Sequence, residues 1–153
     1  MSLTVEVISR FEQEEDCGKL LYAPLSTPLT FRRSRVYLFE FDGEPEEALA
    51  FARKVLVDTY SQDTHIDGAP FFPDCRFYLD YGMKPGALDL EKEAILAYYR
   101  GLGEKRFVLN DLIPRTRVYV FGEPGTARPE PFLRDVVNPA IHTWTITNSN
   151  GRD

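Results

Sequence analysis

The stretch RSRVYLF at residues 33–39 decides the fold, because it returns almost unchanged as RTRVYVF at residues 115–121. Five of the seven positions are identical, and the other two exchange Ser for Thr and Leu for Val. Alternating β-branched and aromatic residues are typical of a strand, so each copy predicts one. A repeat of this kind in a chain of 153 residues indicates one supersecondary unit that is built twice.

The repeat extends in both directions from this stretch. Residues 57–66 match residues 137–146, and residues 5–11 correspond to residues 77–83 as short β-rich runs. Each unit then follows the order strand, helix, strand, helix, strand. We assign residues 1–67 to the first unit and residues 76–153 to the second. Residues 68–75 form the joint, whose Gly and Pro residues exclude a helix and whose two Phe residues predict packing within one rigid body.

Capping and turn residues place the other elements. In the first unit, the acidic run at residues 12–16 predicts a helix start that includes Cys17, and Pro45 fits the first turn of a second helix. In the second unit, the sequence predicts a strand at 76–81, a KPG turn at 84–86 and a helix capped by Asp89. A strand at 117–121, a short helix at 132–137, a strand at 142–146 and a frayed tail at 148–153 follow. The fold class is α+β, with antiparallel sheets packed on helices and a pseudo-twofold relation between the units.

The composition favours a folded protein of the cytoplasm. Hydrophobic residues make up 43% of the chain and aromatic residues 13%, which is too much for a disordered chain. The formal net charge of -6 argues against nucleic acid as a partner. The sequence has no apolar run long enough for a membrane span, and its two cysteines predict reduced thiols.

Motifs of catalysis are missing from the sequence. We find no glycine-rich phosphate loop and no nucleophile motif, and neither His65 nor His142 has a second ligand at metal spacing. We therefore predict no catalytic residue, no cofactor and no metal site, and a protein that is not catalytic alone.

The repeated arginines are the candidate functional residues. Arg33 and Arg35, and again Arg115 and Arg117, alternate along a strand, so each pair projects from one face of its sheet. One interpretation is recognition of an anion or of a partner's carboxylates, since a guanidinium binds both through two hydrogen bonds. The other is a solvated face with ion pairs across strands. Lys84, in the KPG turn, is a further candidate of the same kind.

The second unit resembles the PurS family, and the resemblance spans nearly all of residues 76–147. It is carried by DYGMKPGALD at 80–89, EAIL at 93–96, GLG at 101–103, RVY at 117–119 and VNPAI at 137–141. The first unit fits the middle and end of this pattern, with RVY at 35–37 and VLVD at 55–58, but lacks the KPG turn. Two such units in tandem are similar to the N-terminal region of large single-chain phosphoribosylformylglycinamidine synthases.

The resemblance implies an assembly role. In the family, a synthetase subunit carries the ATP-dependent chemistry, a glutaminase subunit supplies ammonia, and the PurS-like piece bridges them. It therefore implies a component of purine biosynthesis with both subunits as partners and one sheet that continues across both units. The two units form a pseudo-dimer within the chain, and a further oligomer stays open.

Another interpretation stays open beside this one. A small-molecule binding or regulatory module could use the cleft between two duplicated units, with Arg35 and Arg117 converging on an anion.

Overall fold

One antiparallel sheet runs through the protein, and its helices all lie on one side of it. The computed structural model describes residues 1–149. Within that range the chain is a mixed α+β protein, in agreement with the predicted class. Its seven strands are β1 (Ser2–Ser9), β2 (Glu15–Asp16), β3 (Thr30–Gly43), β4 (Gln62–Ile66), β5 (Phe77–Met83), β6 (Phe107–Phe121) and β7 (His142–Asn148). The helices are α1 (Pro45–Leu56), α2 (Leu90–Arg100) and α3 (Glu130–Val136), with a 3-10 turn at Cys17–Lys19.

The two halves are joined through their longest strands. The strand order is β4-β1-β3-β6-β5-β7, and the short β2 pairs with β3 outside this path. β3 and β6 pair from Thr30 opposite Phe121 to Gly43 opposite Phe107, with one irregularity between Glu40 and Phe41. The prediction of one sheet across both halves is therefore confirmed. Both strands are longer than the stretches 33–39 and 115–121 that predict them, because each strand provides backbone hydrogen-bond partners for the other.

Two hydrophobic cores lie side by side on the helix face of the sheet. Directly opposite residues of an antiparallel pair share a face, and neighbours along a strand alternate between faces. Tyr37 and Phe39 contribute to the first core, and Phe31 contributes to the second from the same side of β3. The first core contains residues of α1 and α2, and the second contains Phe132 of α3. The opposite face of the sheet, named here the helix-free face, carries no described helix.

Local sequence explains the two longer helices. α1 begins at Pro45, carries Glu46 and Glu47 in its first turn and has two basic residues in its last, as the helix dipole favours. α2 begins after Asp89, whose side chain accepts a hydrogen bond from the Lys92 backbone N–H at 3.1 Å. It ends at Gly101. The predicted starts of both helices are confirmed.

The helix predicted from the acidic run at residues 12–16 is wrong. Glu15 and Asp16 instead pair as β2 with the first residues of β3. Asp16 accepts a hydrogen bond from the Gly18 backbone N–H at 2.6 Å, and the chain makes a 3-10 turn there. Because β3 begins earlier than predicted, its free edge captures these two residues and stops a helix from forming. Cys17 is fully buried in the second core, as expected for a packing role but not in a helix.

The joint and the C-terminal segment are more ordered than a linker. Phe71 stacks on His65 with ring centroids 3.8 Å apart, and Phe72 packs edge-on against Tyr119, so both Phe residues of the joint have aromatic contacts. The prediction of a frayed tail is wrong at residues 148 and 149, because Asn148 belongs to β7 and the Ser149 backbone N–H donates to the Arg76 carbonyl at 3.2 Å. Residues 150–153 lie outside the described residues. None of the described helices has both the length and the apolar character to cross a bilayer.

A turn before each outer strand has the same hydrogen bonds in both halves. Asp58 accepts from the Gln62 backbone at 2.9 Å, and Asn138 accepts from the His142 backbone at 2.8 Å. The side chains of Asp58 and Asn138 each cap the residue two further on at 3.0 Å. Each backbone N–H in turn donates to the side chain four residues later, at 2.8 Å and 3.0 Å. The match between residues 57–66 and 137–146 thus corresponds to a repeated local structure.

The KPG segment forms the predicted turn. The Lys84 carbonyl accepts a hydrogen bond from the Ala87 backbone N–H at 3.0 Å, and Gly86 has a φ of +88°. Pro followed by a residue with positive φ is the arrangement of a type II turn. Glycine reaches this conformation without the steric cost that a Cβ imposes.

We expect Gly86→Ala to lower the free energy of unfolding by about 1–2 kcal/mol, the cost of placing a Cβ in the left-handed region. Gly103→Ala is the control, because an added Cβ meets nothing within 4 Å at either site and only Gly86 has positive φ. Urea unfolding of both variants measures the difference. Equal losses of stability would contradict the role of backbone strain at Gly86.

The two free cysteines are expected to make the free energy of unfolding depend on pH in the alkaline range. Burial raises the pKa of Cys17 to about 12 and that of Cys75 to about 11, whereas a thiol of the unfolded chain titrates near about 8.5. Because the folded pKa values are higher, this contribution is complete below about pH 8.5 and is lost as the pH rises towards 11. We expect the free energy of unfolding to fall over this range in urea titrations. Replacing both cysteines by serine should make the fall smaller, and an unchanged fall would argue against the thiols.

Candidate functional site

The repeated arginine motif lies at the middle of the β3–β6 pairing. Ser34 is opposite Arg117, and Arg35 is opposite Thr116. Since Ser34 and Arg35 are neighbours on one strand, their side chains point to opposite faces. Arg35 therefore lies on the helix face and Arg117 on the helix-free face. The two arginines do not converge on one cleft, so the anion site expected from that pair is not formed.

Arg117 is held by two carboxylates, one from the adjacent strand β5 and one from β1 on the far side of β3. Its Nε and Nη2 donate to the two oxygens of Asp80 at 2.7 and 2.9 Å, and Nη1 donates to Glu6 at 3.0 Å. The Glu6 carboxylate also accepts hydrogen bonds from the Ser34 hydroxyl at 2.6 Å and from the Tyr119 hydroxyl. We name these five side chains the Arg117 network. A bidentate ion pair of this kind is among the stronger polar interactions of proteins.

The network is closed off from solvent. The side chains of Arg117 and Asp80 are each 13% exposed and that of Glu6 is 5% exposed. The Tyr78 ring covers the guanidinium at 4.3 Å, and the Phe71 backbone N–H of the joint donates to the Tyr119 hydroxyl at 3.0 Å. These contacts bury most of the Arg117 guanidinium among groups of the same chain.

Contacts within the network favour the protonated forms of Arg117 and Tyr119. Burial opposes the charge of Arg117, but the hydrogen bonds and negative charge of Asp80 outweigh it and raise the pKa of Arg117. Burial, together with the hydrogen bond to Glu6, raises the pKa of Tyr119 well above its ordinary value. The hydroxyl of Tyr119 therefore stays protonated and serves as a hydrogen-bond donor. Arg117 and Tyr119 therefore both act in the network as hydrogen-bond donors to its carboxylates.

Arg35 ties helix α2 to the sheet. Its guanidinium forms an ion pair with Glu91 of α2 and donates to the Thr116 hydroxyl at 2.6 Å. The Tyr37 hydroxyl donates to the same Glu91 carboxylate at 2.8 Å, and burial raises the pKa of Tyr37 to about 12. About two fifths of each side chain in the Arg35–Glu91 pair is exposed, at 40% and 41%. The pair therefore orients the helix and contributes modestly to stability.

The remaining three candidates have no ion pair within residues 1–149. Arg33 is exposed on β3, with its guanidinium over the Phe31 ring at 5.2 Å. Lys84 and Arg115, distant in sequence, line one cleft of 310 Å³. We name it the KPG cleft. Its charged lining consists of Lys84, Lys92, Arg115, Asp89 and Asp111.

Both histidines have structural partners. Nδ1 of His65 lies 2.9 Å from the Ala69 carbonyl, and Nδ1 of His142 accepts a hydrogen bond from the Asn138 backbone N–H at 3.0 Å. Among residues 1–149 there is no group of three or more His, Cys, Asp or Glu side chains placed to hold a metal ion.

The sequence did not reveal the acidic partners of the arginines. Glu6 lies between Val5 and Val7 in β1, and an acidic residue in an otherwise apolar strand is the one local signal that it is buried with a cation. Asp80 and Glu91 carry no such signal. Their pairing with Arg117 and Arg35 depends on strand register and on the position of α2, which are properties of the folded chain.

We expect Glu6→Ala to lower the free energy of unfolding by about 3 kcal/mol or more, because it leaves a buried guanidinium short of a partner and two hydroxyls without an acceptor. Asp63→Ala is the matched control, since it breaks an Arg10–Asp63 pair of 2.8 Å whose side chains are 45% and 55% exposed. That control should lose less than about 1 kcal/mol. Thermal and urea unfolding give both values, and similar losses in the two variants would show that the network is not energetically special.

Comparison of the chain with protein-family models, with curated proteins and with solved structures finds no match. A functional assignment therefore rests on the residues and the geometry described above.

Proposed function

We propose that this chain is a non-catalytic assembly component of phosphoribosylformylglycinamidine synthase, which bridges the synthetase and glutaminase parts of that enzyme in purine biosynthesis. The observation that carries the proposal is the course of residues 77–148. They run from β5 through the KPG turn to the Asp89-capped α2, then through β6 and α3 to β7. This is the order of elements and turns in the PurS-like pattern that the sequence resembles.

The symmetry of the sheet supports two PurS-like units in tandem. From either edge the order is outer strand, first strand of the half, then the long central strand, as β4-β1-β3 and β7-β5-β6. In the first half, Val5 of the middle strand lies opposite Tyr37 and Ile66. In the second half, Leu79 of the middle strand lies opposite Val118 and Ile146. In this correspondence Arg35 takes the place of Thr116, so the repeated arginine motif is offset by one residue between the units.

The arginines of the repeated motif differ in how accessible they are to a partner protein. Arg117 is paired with a buried carboxylate of the same chain, and Arg35 is paired with Glu91 while 40% of its side chain is exposed. Arg33 is exposed on β3 and has no ion pair within the described residues, so it is the arginine of the motif that a partner's carboxylate could reach.

Reconstitution tests the assembly role. The chain, with an affinity tag, is mixed with a purified synthetase and a purified glutaminase in the presence of ATP and glutamine. We expect a stable complex of all three by size-exclusion chromatography, and glutamine-dependent synthase activity that requires this chain. If the chain binds neither subunit under these conditions, the proposal is wrong.

The role of Arg33 is tested separately. We expect Arg33→Ala to weaken the complex without changing the melting temperature, because its side chain is exposed and has no described ion pair. Arg128→Ala removes another exposed arginine as the control. If both variants weaken the complex equally, Arg33 has no specific role in partner binding. The assembly role itself is then tested by the reconstitution alone.

A further inference from the structure

The KPG cleft exists because β5 leaves β6 before that strand ends. The last described pair between them is Tyr81 with Thr116, although β6 continues back to Phe107. Gly82 permits the departure, since a Cβ at this position would lie 2.7 Å from the Pro114 carbonyl oxygen. The chain then makes the KPG turn and enters α2. The turn, α2 and the uncovered part of β6 enclose the cleft.

The charged side chains of the cleft that have neither an ion pair nor a side-chain hydrogen bond within residues 1–149 are positive. Lys92 forms an ion pair with Asp111 at 3.0 Å, and the Asp89 side chain accepts the N-terminal hydrogen bond of α2. Both carboxylates in the lining are therefore engaged. Lys84 and Arg115 are half-buried and have no carboxylate partner within residues 1–149. Two partly desolvated cations without a counter-charge are costly, and a bound anion would remove that cost.

The number and type of these groups define the ligand. Two unneutralised cations match a dianion better than a single carboxylate, and Arg can bind phosphate through two hydrogen bonds. A phosphate monoester carries a charge of about -1.5 to -2 near neutral pH. Met83, Leu112, Ile113 and Pro114 also line the cleft and offer apolar contact to an organic group. The volume of 310 Å³ lies at the lower end of the range of small-molecule sites.

We propose that the KPG cleft binds a small phosphate monoester, with Lys84 and Arg115 on the phosphate and the apolar residues against the organic part. The site lies within the second half of the chain, so it differs from a cleft between the two units. The phosphate site goes beyond the assembly role. It can be tested independently of that role, because no partner protein is needed to form the site.

Binding of phenyl phosphate tests the proposal. The probe combines a dianionic phosphate with a small apolar ring, and its affinity is measured by calorimetry at constant ionic strength. We expect Lys84→Gln and Arg115→Gln each to weaken binding about tenfold, as for the loss of one charge-assisted hydrogen bond. Arg33→Gln is the matched control, because it removes the same charge from an exposed arginine outside the cleft. It should leave the affinity within about twofold.

Amide chemical shifts of the wild-type protein provide a second measurement that needs no variant. We expect the largest changes on phenyl phosphate addition around residues 84–87 and 112–115, and much weaker binding of benzoate. The proposal is overturned if millimolar phenyl phosphate shows no saturable binding, if the shifts centre elsewhere, or if Arg33→Gln weakens binding as much as the cleft variants. Equal affinity for benzoate would overturn the choice of a dianion.

Discussion

The antiparallel pairing of β3 with β6 is the constraint on which the rest of the structure depends. It joins two halves that would otherwise be separate small sheets, and it places both hydrophobic cores on the same face. In a strand, a slip of one residue exchanges the two faces. Such a slip would bring Arg117 to the helix face and move Val118 out of the second core. The position of Arg117 opposite Ser34 therefore defines the register between β3 and β6.

The Arg117 network shows how a buried charge can specify that register. Removing an arginine and two carboxylates from water is costly, and the cost is recovered only where all of their hydrogen bonds are made. Glu6 of β1 and Asp80 of β5 meet at Arg117 only if three strand pairings are correct at once. The joint completes the enclosure through Phe71 and Phe72, so the segment between the halves is part of the folded body.

The two proposals use different parts of this framework. The proposed assembly role would use the continuous sheet and the ring contacts of the joint, which connect the two halves of the chain. The phosphate site depends on a local departure from the sheet, where Gly82 and the KPG turn separate β5 from β6. Internal ion pairs occupy Arg35 and Arg117, whereas Lys84 and Arg115 face a cleft whose own carboxylates are engaged. Function is thus expected where the charges of the chain are not already balanced within it.

The sequence by itself determined the elements whose signals are local. Pro45, Asp89 and the KPG turn fixed helix starts and a reversal, because capping and turn chemistry act within a few residues. Both copies of the repeated motif lie in strands, as predicted, in β3 and in β6. Only the tertiary structure decided that the arginines of its two copies face opposite sides, that residues 15 and 16 pair with β3 instead of starting a helix, and that Lys84 and Arg115 line one cleft. The physical reason is that strand register and cleft formation depend on contacts between residues distant in the chain, which no local pattern encodes.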